Sequence, residues 1–161
     1  MKPSDLPRLM RRILFALALT VLPLAALACG DSPTSIEDTR FAAGLGVDLD
    51  SMTRTASGMY YSDLAVGTGA VAQSGKTVGV YYKGSLPNGR VFDSLSAGTP
   101  FSFKLGTGAV IQGFDEGIAG MKVGGKRLMV IPPALGYGNQ PVGSIPANSI
   151  LVFEVTLVSV Q

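Results

Sequence analysis

The sequence predicts an α+β domain in which a curved antiparallel β-sheet wraps over one short α-helix. Two observations lead to this fold class. Short segments with alternating apolar residues recur from residue 59 onwards, each bounded by glycine or proline, as in antiparallel strands. Only residues 106–121 have the spacing of a helix, and they are too rich in glycine to stay helical without packing against a larger element.

The first 28 residues differ in kind from the rest and predict a secretory signal peptide. A basic start that includes Lys2 and Arg8 precedes an apolar run over residues 13–28. The run is shorter than the roughly 20 residues of a spanning helix, and no charged stop-transfer flank follows it. A retained membrane anchor is the alternative interpretation.

Cys29 is the only cysteine, so it cannot form an intrachain disulfide. The preceding Ala26-Leu27-Ala28 resembles a bacterial lipobox, in which the cysteine carries diacylglycerol, although it also satisfies the small-x-small rule of ordinary signal peptidase. We predict lipid attachment at Cys29, which would hold the protein on a membrane surface without a spanning helix. The predicted location is the bacterial cell envelope, facing the periplasm. Glycine at position 30, directly after the cysteine, resembles the pattern of lipoproteins exported to the outer membrane. Location at the inner membrane is the alternative that the sequence leaves open.

The net positive charge of the chain comes from the predicted signal peptide. The whole chain has 13 basic and 11 acidic residues, and residues 1–28 hold four of the basic and one of the acidic ones, which leaves 9 and 10. The remainder has no clustered basic stripe, so a nucleic-acid partner is not expected. No heptad pattern is present either, and we expect a monomer.

Residues 29–55 are predicted to be the lipid-attachment cysteine and a flexible tether, because they are rich in Ser, Thr, Asp and Gly. Within them, residues 41–49 fit either a short docking segment or a partly ordered linker. The folded domain is predicted over residues 56–161, a usual length for one core.

The strands of this domain follow from period-two patterns between turn residues. Pro87-Asn88-Gly89 is a turn signal between the second and third of them. Val152 and Val158 fall outside the alternation of the last strand, which indicates a central position in the sheet. Strands are predicted at residues 59–64, 78–82, 90–94, 101–105, 126–131 and 150–160.

The predicted helix places Phe114, Ile118 and Met121 on one face, since they are spaced i, i+4 and i+7. Asp115 and Glu116 lie in its first turn, where the helix dipole favours carboxylates. They point in different directions, so the dipole explains them better than a catalytic carboxylate pair.

Several classes of chemistry are excluded by the residues that the chain lacks. The sequence contains no histidine, which removes histidine-based acid–base catalysis, Ser-His-Asp triads and the usual zinc sites. Its glycine pairs lack the further residues of a dinucleotide or phosphate loop. The sequence therefore predicts no metal and no cofactor.

Three segments, read in order, are similar to the FKBP-type peptidyl-prolyl cis-trans isomerases. VGVYYKGSLPNGRVFDS (78–94) resembles the family's opening motif, and TPFSFKLGTGAVIQGFDEGIAGMKVG (99–124) its central helix block. IPPALGYGNQPVGSIPANSILVFEVTLVSV (131–160) resembles its closing loop and strand. Several spaced motifs in order are more specific than any one of them. The resemblance implies an FKBP-like fold across residues 56–161.

The resemblance also implies an apolar pocket with Phe114 as its floor and Asp93 as its one buried charge. Asp93, Tyr137 and Tyr82 would be catalytic. Three features depart from the family: Phe114 stands where many members have tryptophan, the segment between Asp93 and Phe101 has no arginine to pair with Asp93, and the loop after Tyr137 is about one residue shorter. The implied substrate-binding residues are Tyr82, Phe92, Asp93, Phe101, Val110, Ile111, Phe114, Tyr137, Ile145 and Phe153, whereas Phe103 is expected to be ordinary core.

The implied activity is the isomerisation of Xaa-Pro bonds in envelope or secreted proteins, with proline-containing polypeptides as partners and the family's macrolides as inhibitors. Phe114 and Phe153 would pack the prolyl ring, and Tyr137 with the Ile145 backbone would bind the substrate main chain. Asp93 would either polarise the substrate carbonyl or only fix the Phe92 loop. The alternative function is a membrane-tethered module that binds peptides, or acts as a chaperone, without catalysis.

Overall fold

Seven strands form one antiparallel sheet in the computed structural model, which describes residues 35–161. Its one α-helix within that range is α1 (Gln112–Ile118), and 3₁₀ turns occupy Ala43–Leu45 and Pro133–Leu135. No helix among these residues is long and apolar enough to cross a bilayer. The predicted α+β class is confirmed. The strands are β1 (Thr53–Arg54), β2 (Tyr60–Ala65), β3 (Thr77–Ser85), β4 (Val91–Leu95), β5 (Phe101–Lys104), β6 (Lys126–Ile131) and β7 (Leu151–Val160).

The order of the strands is β1-β2-β6-β7-β3-β4, and β5 also pairs with β3. Strand β7 therefore lies between β6 and β3, the central position that its two-sided apolar pattern predicts. Strand β3 pairs with β5 at one end, where Val80 faces Phe101, and with β4 at the other, where Tyr82 faces Leu95. Tyr82 thus lies where β3 changes its edge partner.

The inner face of the sheet holds the main core together with α1. Phe114, Ile118 and Met121 are all buried there, as their spacing predicts. Gly117 faces β6 so closely that an added Cβ atom would clash with Sδ of Met129. Glycine lowers the intrinsic stability of this helix but allows the close approach to the sheet that stabilises it.

The outer face of the sheet is covered by residues 35–54, which we call the strap. It packs against apolar side chains on the second face of β6 and β7, among them Leu128 and Val152. Ile36 is buried under it, and its Ala42 N–H donates a 2.8 Å hydrogen bond to the Pro87 carbonyl. The composition of these residues predicts a flexible tether, whereas in the structure they pack on the sheet. The boundary at residues 55 and 56 stays a prediction, and the predicted signal peptide and Cys29 lie outside the described residues.

The two carboxylates of the helix bind neighbouring loops. The helix begins at Gln112, and the carboxylate of Asp115 accepts hydrogen bonds from the N–H groups of Gly106 (3.0 Å) and Gly108 (3.2 Å). Glu116 accepts a 2.7 Å hydrogen bond from the hydroxyl of Ser57. Asp115 lies in the first turn, as the dipole explanation predicts, whereas Glu116 lies just beyond that turn. Both side chains also fix neighbouring segments, the turn before the helix and the loop before β2.

Candidate functional site

A cleft of about 690 Å³ opens between β3, β4, β5, the start of α1 and the loop that precedes β7. All ten residues that the sequence assigned to substrate binding line this one cleft, and Phe103 lies in the core beside it. What each of them does there stays a prediction. The lining residues are Tyr82, Phe92, Asp93, Phe101, Ala109, Val110, Ile111, Phe114, Tyr137, Val142, Gly143, Ser144, Ile145 and Phe153.

The base of the cleft is a cluster of aromatic rings that meet edge to face. Phe114 is only 3% exposed, and its ring centroid lies 5.1 Å from that of Phe153 and 6.0 Å from that of Tyr82. The Phe92 ring meets Phe153 from the other side at 5.5 Å. Edge-to-face pairs of this kind contribute a favourable interaction in addition to the hydrophobic burial of the rings. The contacts among the rings therefore stabilise their arrangement at the base of the cleft.

Gly84 of β3 is the reason that two of these rings can converge. A Cβ atom at Gly84 would lie 2.6 Å from ring atoms of Phe92 and 2.8 Å from Cε1 of Phe153. The absent side chain leaves the space that the two rings fill. Residue 84 is therefore part of the architecture of the cleft although it does not line it.

Tyr82 and Asp93 form a hydrogen-bonded polar pair in the cleft. The Tyr82 hydroxyl donates a 2.6 Å hydrogen bond to Oδ2 of Asp93. Burial, together with the hydrogen bond to Asp93 and the charge of Asp93, raises the pKa of Tyr82 to about 12. The phenol is therefore a hydrogen-bond donor throughout the neutral range.

Asp93 is exposed, which corrects the expectation that it is the one buried charge. It lies on the edge strand β4 at the mouth of the cleft, where solvent reaches its carboxylate. The buried charged residue of the described chain is Arg127, which pairs with Asp63 at 2.7 Å and donates to the Gly117 carbonyl near the C-terminal end of α1. Arg127 stabilises the fold through these contacts and does not line the cleft.

The loop before β7 forms the outer rim. Tyr137 and Val142 are 36% and 42% exposed, and Ile145 is buried against the core. The Ile145 N–H donates to the Val142 carbonyl at 2.9 Å, and the Val142 N–H donates to the Ile145 carbonyl at 3.0 Å. The family resemblance implies that the Ile145 backbone binds the substrate, but its N–H group is already used in this tight turn.

Four lining residues were not assigned to the site from the sequence: Ala109, Val142, Gly143 and Ser144. Two of them have little or no side chain, and the other two lie in a loop without periodicity. The one sequence feature that points to this rim is the loop after Tyr137, which is about one residue shorter than in the family. Within residues 35–161, no cluster of three His, Cys, Asp or Glu side chains could hold a metal ion.

Comparisons of the sequence and of the structure with known proteins point to one protein family. The family described as FKBP-type peptidyl-prolyl cis-trans isomerase matches residues 69–158. FK506-binding protein 3 of Candida albicans is 53% identical over 104 residues, which is 65% of this chain and 24% of that protein. The peptidyl-prolyl cis-trans isomerase of Saccharomyces cerevisiae is 50% identical over 104 residues, 65% of this chain and 25% of that protein.

The crystal structure of AtFKBP13 superposes with a TM-score of 0.64 at 36% identity and covers 68% of this chain and 98% of that one. The chain thus spans about a quarter of the curated relatives named above and nearly all of AtFKBP13. The family match covers more than half of the chain and includes every residue that lines the cleft. This chain belongs to the family of FKBP-type peptidyl-prolyl cis-trans isomerases.

Proposed function

We propose that this chain catalyses cis–trans isomerisation of Xaa-Pro bonds in polypeptides and that the prolyl residue binds in the cleft above Phe114. The observation that carries the proposal is the lining of the cleft. Six of its residues are aromatic and one, Asp93, is charged. Such a surface suits a prolyl ring with its flanking amides and offers neither a nucleophile paired with a base nor a phosphate site.

The reaction needs no covalent step. Rotation about a peptide bond has a barrier of roughly 18–20 kcal/mol, because it breaks the resonance that makes the C–N bond partly double. The twisted amide has lost this resonance and much of its carbonyl dipole, so an apolar pocket disfavours it less than the planar ground state. An acceleration of three to five decades requires about 4–7 kcal/mol of differential stabilisation.

Five side chains of the cleft have defined roles in this proposal. Phe114 and Phe153 pack against the prolyl ring and exclude water from the amide. The Tyr137 hydroxyl at the rim binds the substrate main chain. Tyr82 and Asp93 act as one hydrogen-bonded unit, in which Asp93 orients the phenol toward the carbonyl side of the substrate.

We further propose that the chain is the exported, lipid-anchored form of this domain in a bacterial envelope. The support comes from residues 1–28 and the Ala26-Leu27-Ala28-Cys29 sequence. The signal peptide would be removed, Cys29 would carry the lipid, and the domain would face the periplasm as a monomer. Its clients would be proline-containing segments of envelope or secreted proteins as they fold. Radiolabelled palmitate that enters the wild-type protein and not Cys29→Ser would support this location, and equal labelling of both would refute it.

The relatives named for binding FK506 suggest a ligand as well as a substrate. We propose that macrolides of this class occupy the same cleft and compete with the peptide. Inhibition of isomerisation by FK506 would then follow simple competition, with the apparent KM for peptide rising and kcat unchanged.

The test is the rate of cis-to-trans conversion of short Xaa-Pro peptides in the presence of the purified chain. Catalysis by the wild-type chain that falls in Tyr82→Phe and Phe153→Leu, with both variants folded, would support the proposal. A folded chain that accelerates none of several peptides with different residues before proline would refute it. Peptide binding without acceleration would favour the non-catalytic binding module.

A further inference from the structure

We propose that Arg90 is a positioning residue that holds the Ser144–Ile145 peptide group at the rim and so sets how tightly the cleft holds a peptide. The proposal rests on the proposed function, since it concerns the same cleft. Arg90 does not line the cleft. It acts through the backbone of two residues that do.

The contact that carries the proposal joins two distant parts of the chain. The guanidinium Nη2 of Arg90, just before β4, donates a hydrogen bond to the Ser144 carbonyl. The remaining hydrogen bonds of the loop over residues 138–149 are made within the loop or by its backbone. Among residues 35–161, Arg90 therefore makes the one side-chain hydrogen bond that reaches this loop from elsewhere.

Arg90 is itself held in place by its own turn. Its N–H group donates to Oδ1 of Asn88 at 2.9 Å, and its carbonyl accepts a 2.9 Å hydrogen bond from the Leu86 N–H. The strap adds the 2.8 Å hydrogen bond from Ala42 to Pro87. The backbone of Arg90 is thus fixed, and its guanidinium extends from this fixed base to the loop.

The Ser144 carbonyl and the Ile145 N–H belong to the same peptide group. Arg90 binds its oxygen, and the Val142 carbonyl accepts from its nitrogen at 2.9 Å. A charged donor on the oxygen polarises the peptide and strengthens the hydrogen bond on the nitrogen side. Arg90 therefore keeps the Val142–Ile145 turn closed and the buried Ile145 side chain against the cleft.

The experiment compares Arg90→Met, Arg90→Lys and the control Arg40→Met in the purified full chain. Methionine keeps the length of the stem but removes the donors, whereas lysine can still donate one hydrogen bond. Arg40 is exposed on the strap, away from the cleft, and its replacement changes the net charge equally. KM and kcat for an Xaa-Pro peptide are measured beside hydrogen exchange of the Val142 and Ile145 amides.

We expect Arg90→Met to raise KM about two- to ten-fold, the effect of losing one hydrogen bond, with kcat changed less. Exchange of the two amides should accelerate by a similar factor, Arg90→Lys should recover most of both effects, and Arg40→Met should resemble wild type. Wild-type KM or wild-type exchange in folded Arg90→Met would overturn the proposal, as would an equal effect of Arg40→Met. A wild-type chain without isomerase activity would instead refute the proposed function, while the exchange measurement would still test the role of Arg90 in the loop.

Discussion

The hydroxyl of Tyr82 donates to Asp93 across strands β3 and β4, over a distance of 2.6 Å. The two residues are not direct partners in the ladder, because Tyr82 faces Leu95 and Asp93 faces Gly84. The hydrogen bond therefore runs diagonally between the two strands. It fixes the orientation of a phenol that lines the cleft, and it couples the protonation of that phenol to the charge of Asp93.

Replacing Asp93 by asparagine should lower the pKa of Tyr82. The wild-type value of about 12 arises first from burial and then from Asp93, so we expect a value below 12 but still above the ordinary 10.0. The sequence has no tryptophan, so near-UV absorbance follows tyrosine ionisation directly. The difference between titrations of each protein with and without Tyr82→Phe isolates this residue.

The same pair predicts a change of stability at alkaline pH. Because the pKa of Tyr82 is raised on folding, its contribution is fully present below about pH 10 and is lost as pH rises through about 12. Denaturant unfolding of wild type and Tyr82→Phe over this range measures the contribution as a difference. An identical decline in both proteins would contradict the assignment.

Phe153 and Phe103 offer a matched pair for separating the cleft from the core. Both are buried and both belong to the main core, but only Phe153 lines the cleft. We expect Phe153→Leu and Phe103→Leu to lower the free energy of unfolding by similar amounts, each below the about 3–5 kcal/mol typical of Phe→Ala. Only Phe153→Leu should lower kcat/KM for peptides, about ten-fold or more. Equal kinetic losses would mean that Phe153 acts through stability alone.

Gly84→Ala should displace the aromatic rings at the base of the cleft and lower both stability and catalysis. The new methyl group would push on both the Phe92 and Phe153 rings, and overpacking of this kind costs about 1–3 kcal/mol. Loss of peptide catalysis should accompany the loss of stability. The control is Gly44→Ala in the strap, where an added Cβ meets nothing within 4 Å and stability should stay within about 0.5 kcal/mol of wild type. Normal kinetics in Gly84→Ala would show that the rings can move apart without cost.

The strands and the helix could be predicted because their side chains follow the periods of the elements. Met129 and Ile131 alternate with Leu128 and Val130, and the two pairs pack on opposite faces of the sheet. The strap could not be predicted with the same certainty. Its buried residues, such as Ile36 and Met52, are far apart in sequence and follow no period, so they signal a cover only once the outer face of the sheet is known.

The aromatic cleft was accessible from the sequence through the order of its motifs, whereas its polar details were not. Nothing local to Asp93 reveals that it is exposed on an edge strand, because exposure depends on where the neighbouring loop runs. The same is true of the Ile145 N–H, which is occupied within the four-residue turn Val142–Ile145. Arg90 carries no motif of its own, and its partner lies 54 residues further along the chain.

Arg127 should be the most stabilising charged side chain of the described residues. Its guanidinium pairs with both carboxylate oxygens of Asp63, at 2.7 and 3.0 Å, and donates to the Gly117 carbonyl at 2.9 Å. It also lies 4.5 Å from the centre of the Tyr61 ring. Arg127→Met should cost about 2–4 kcal/mol, somewhat less than a fully buried pair, because Asp63 stays about one-third exposed.

Lys126→Met is the matched control for this prediction. Lys126 pairs with Glu154 at 3.0 Å on the neighbouring position of β6, but both side chains are substantially exposed. Surface pairs contribute about 0–1 kcal/mol, so this variant should unfold almost as wild type does. Similar losses for the two variants in chemical denaturation would show that burial is not what distinguishes them.

Glu37 should make the strap sensitive to acid. Its carboxylate accepts hydrogen bonds from the hydroxyls of Ser35 and Tyr60, and Arg54 lies 3.4 Å away, so the pKa of Glu37 is lowered from 4.5 to about 2. A carboxylate whose pKa is depressed stabilises the fold above its ordinary pKa, and this stabilisation is lost as pH falls through the folded value. The window is therefore pH 4.5 down to about 2.

Denaturant unfolding of wild type and Glu37→Gln across that window measures the effect. Wild type should lose stability relative to Glu37→Gln as the pH falls, and hydrogen exchange of the Ala42 amide, which is bonded to Pro87, should accelerate in parallel. Because the ion pair with Arg54 is exposed, added salt should weaken that part of the difference. A parallel pH dependence of the two proteins would show that Glu37 does not hold the strap, and the apolar contacts of Ile36 and Met52 would then account for its position alone.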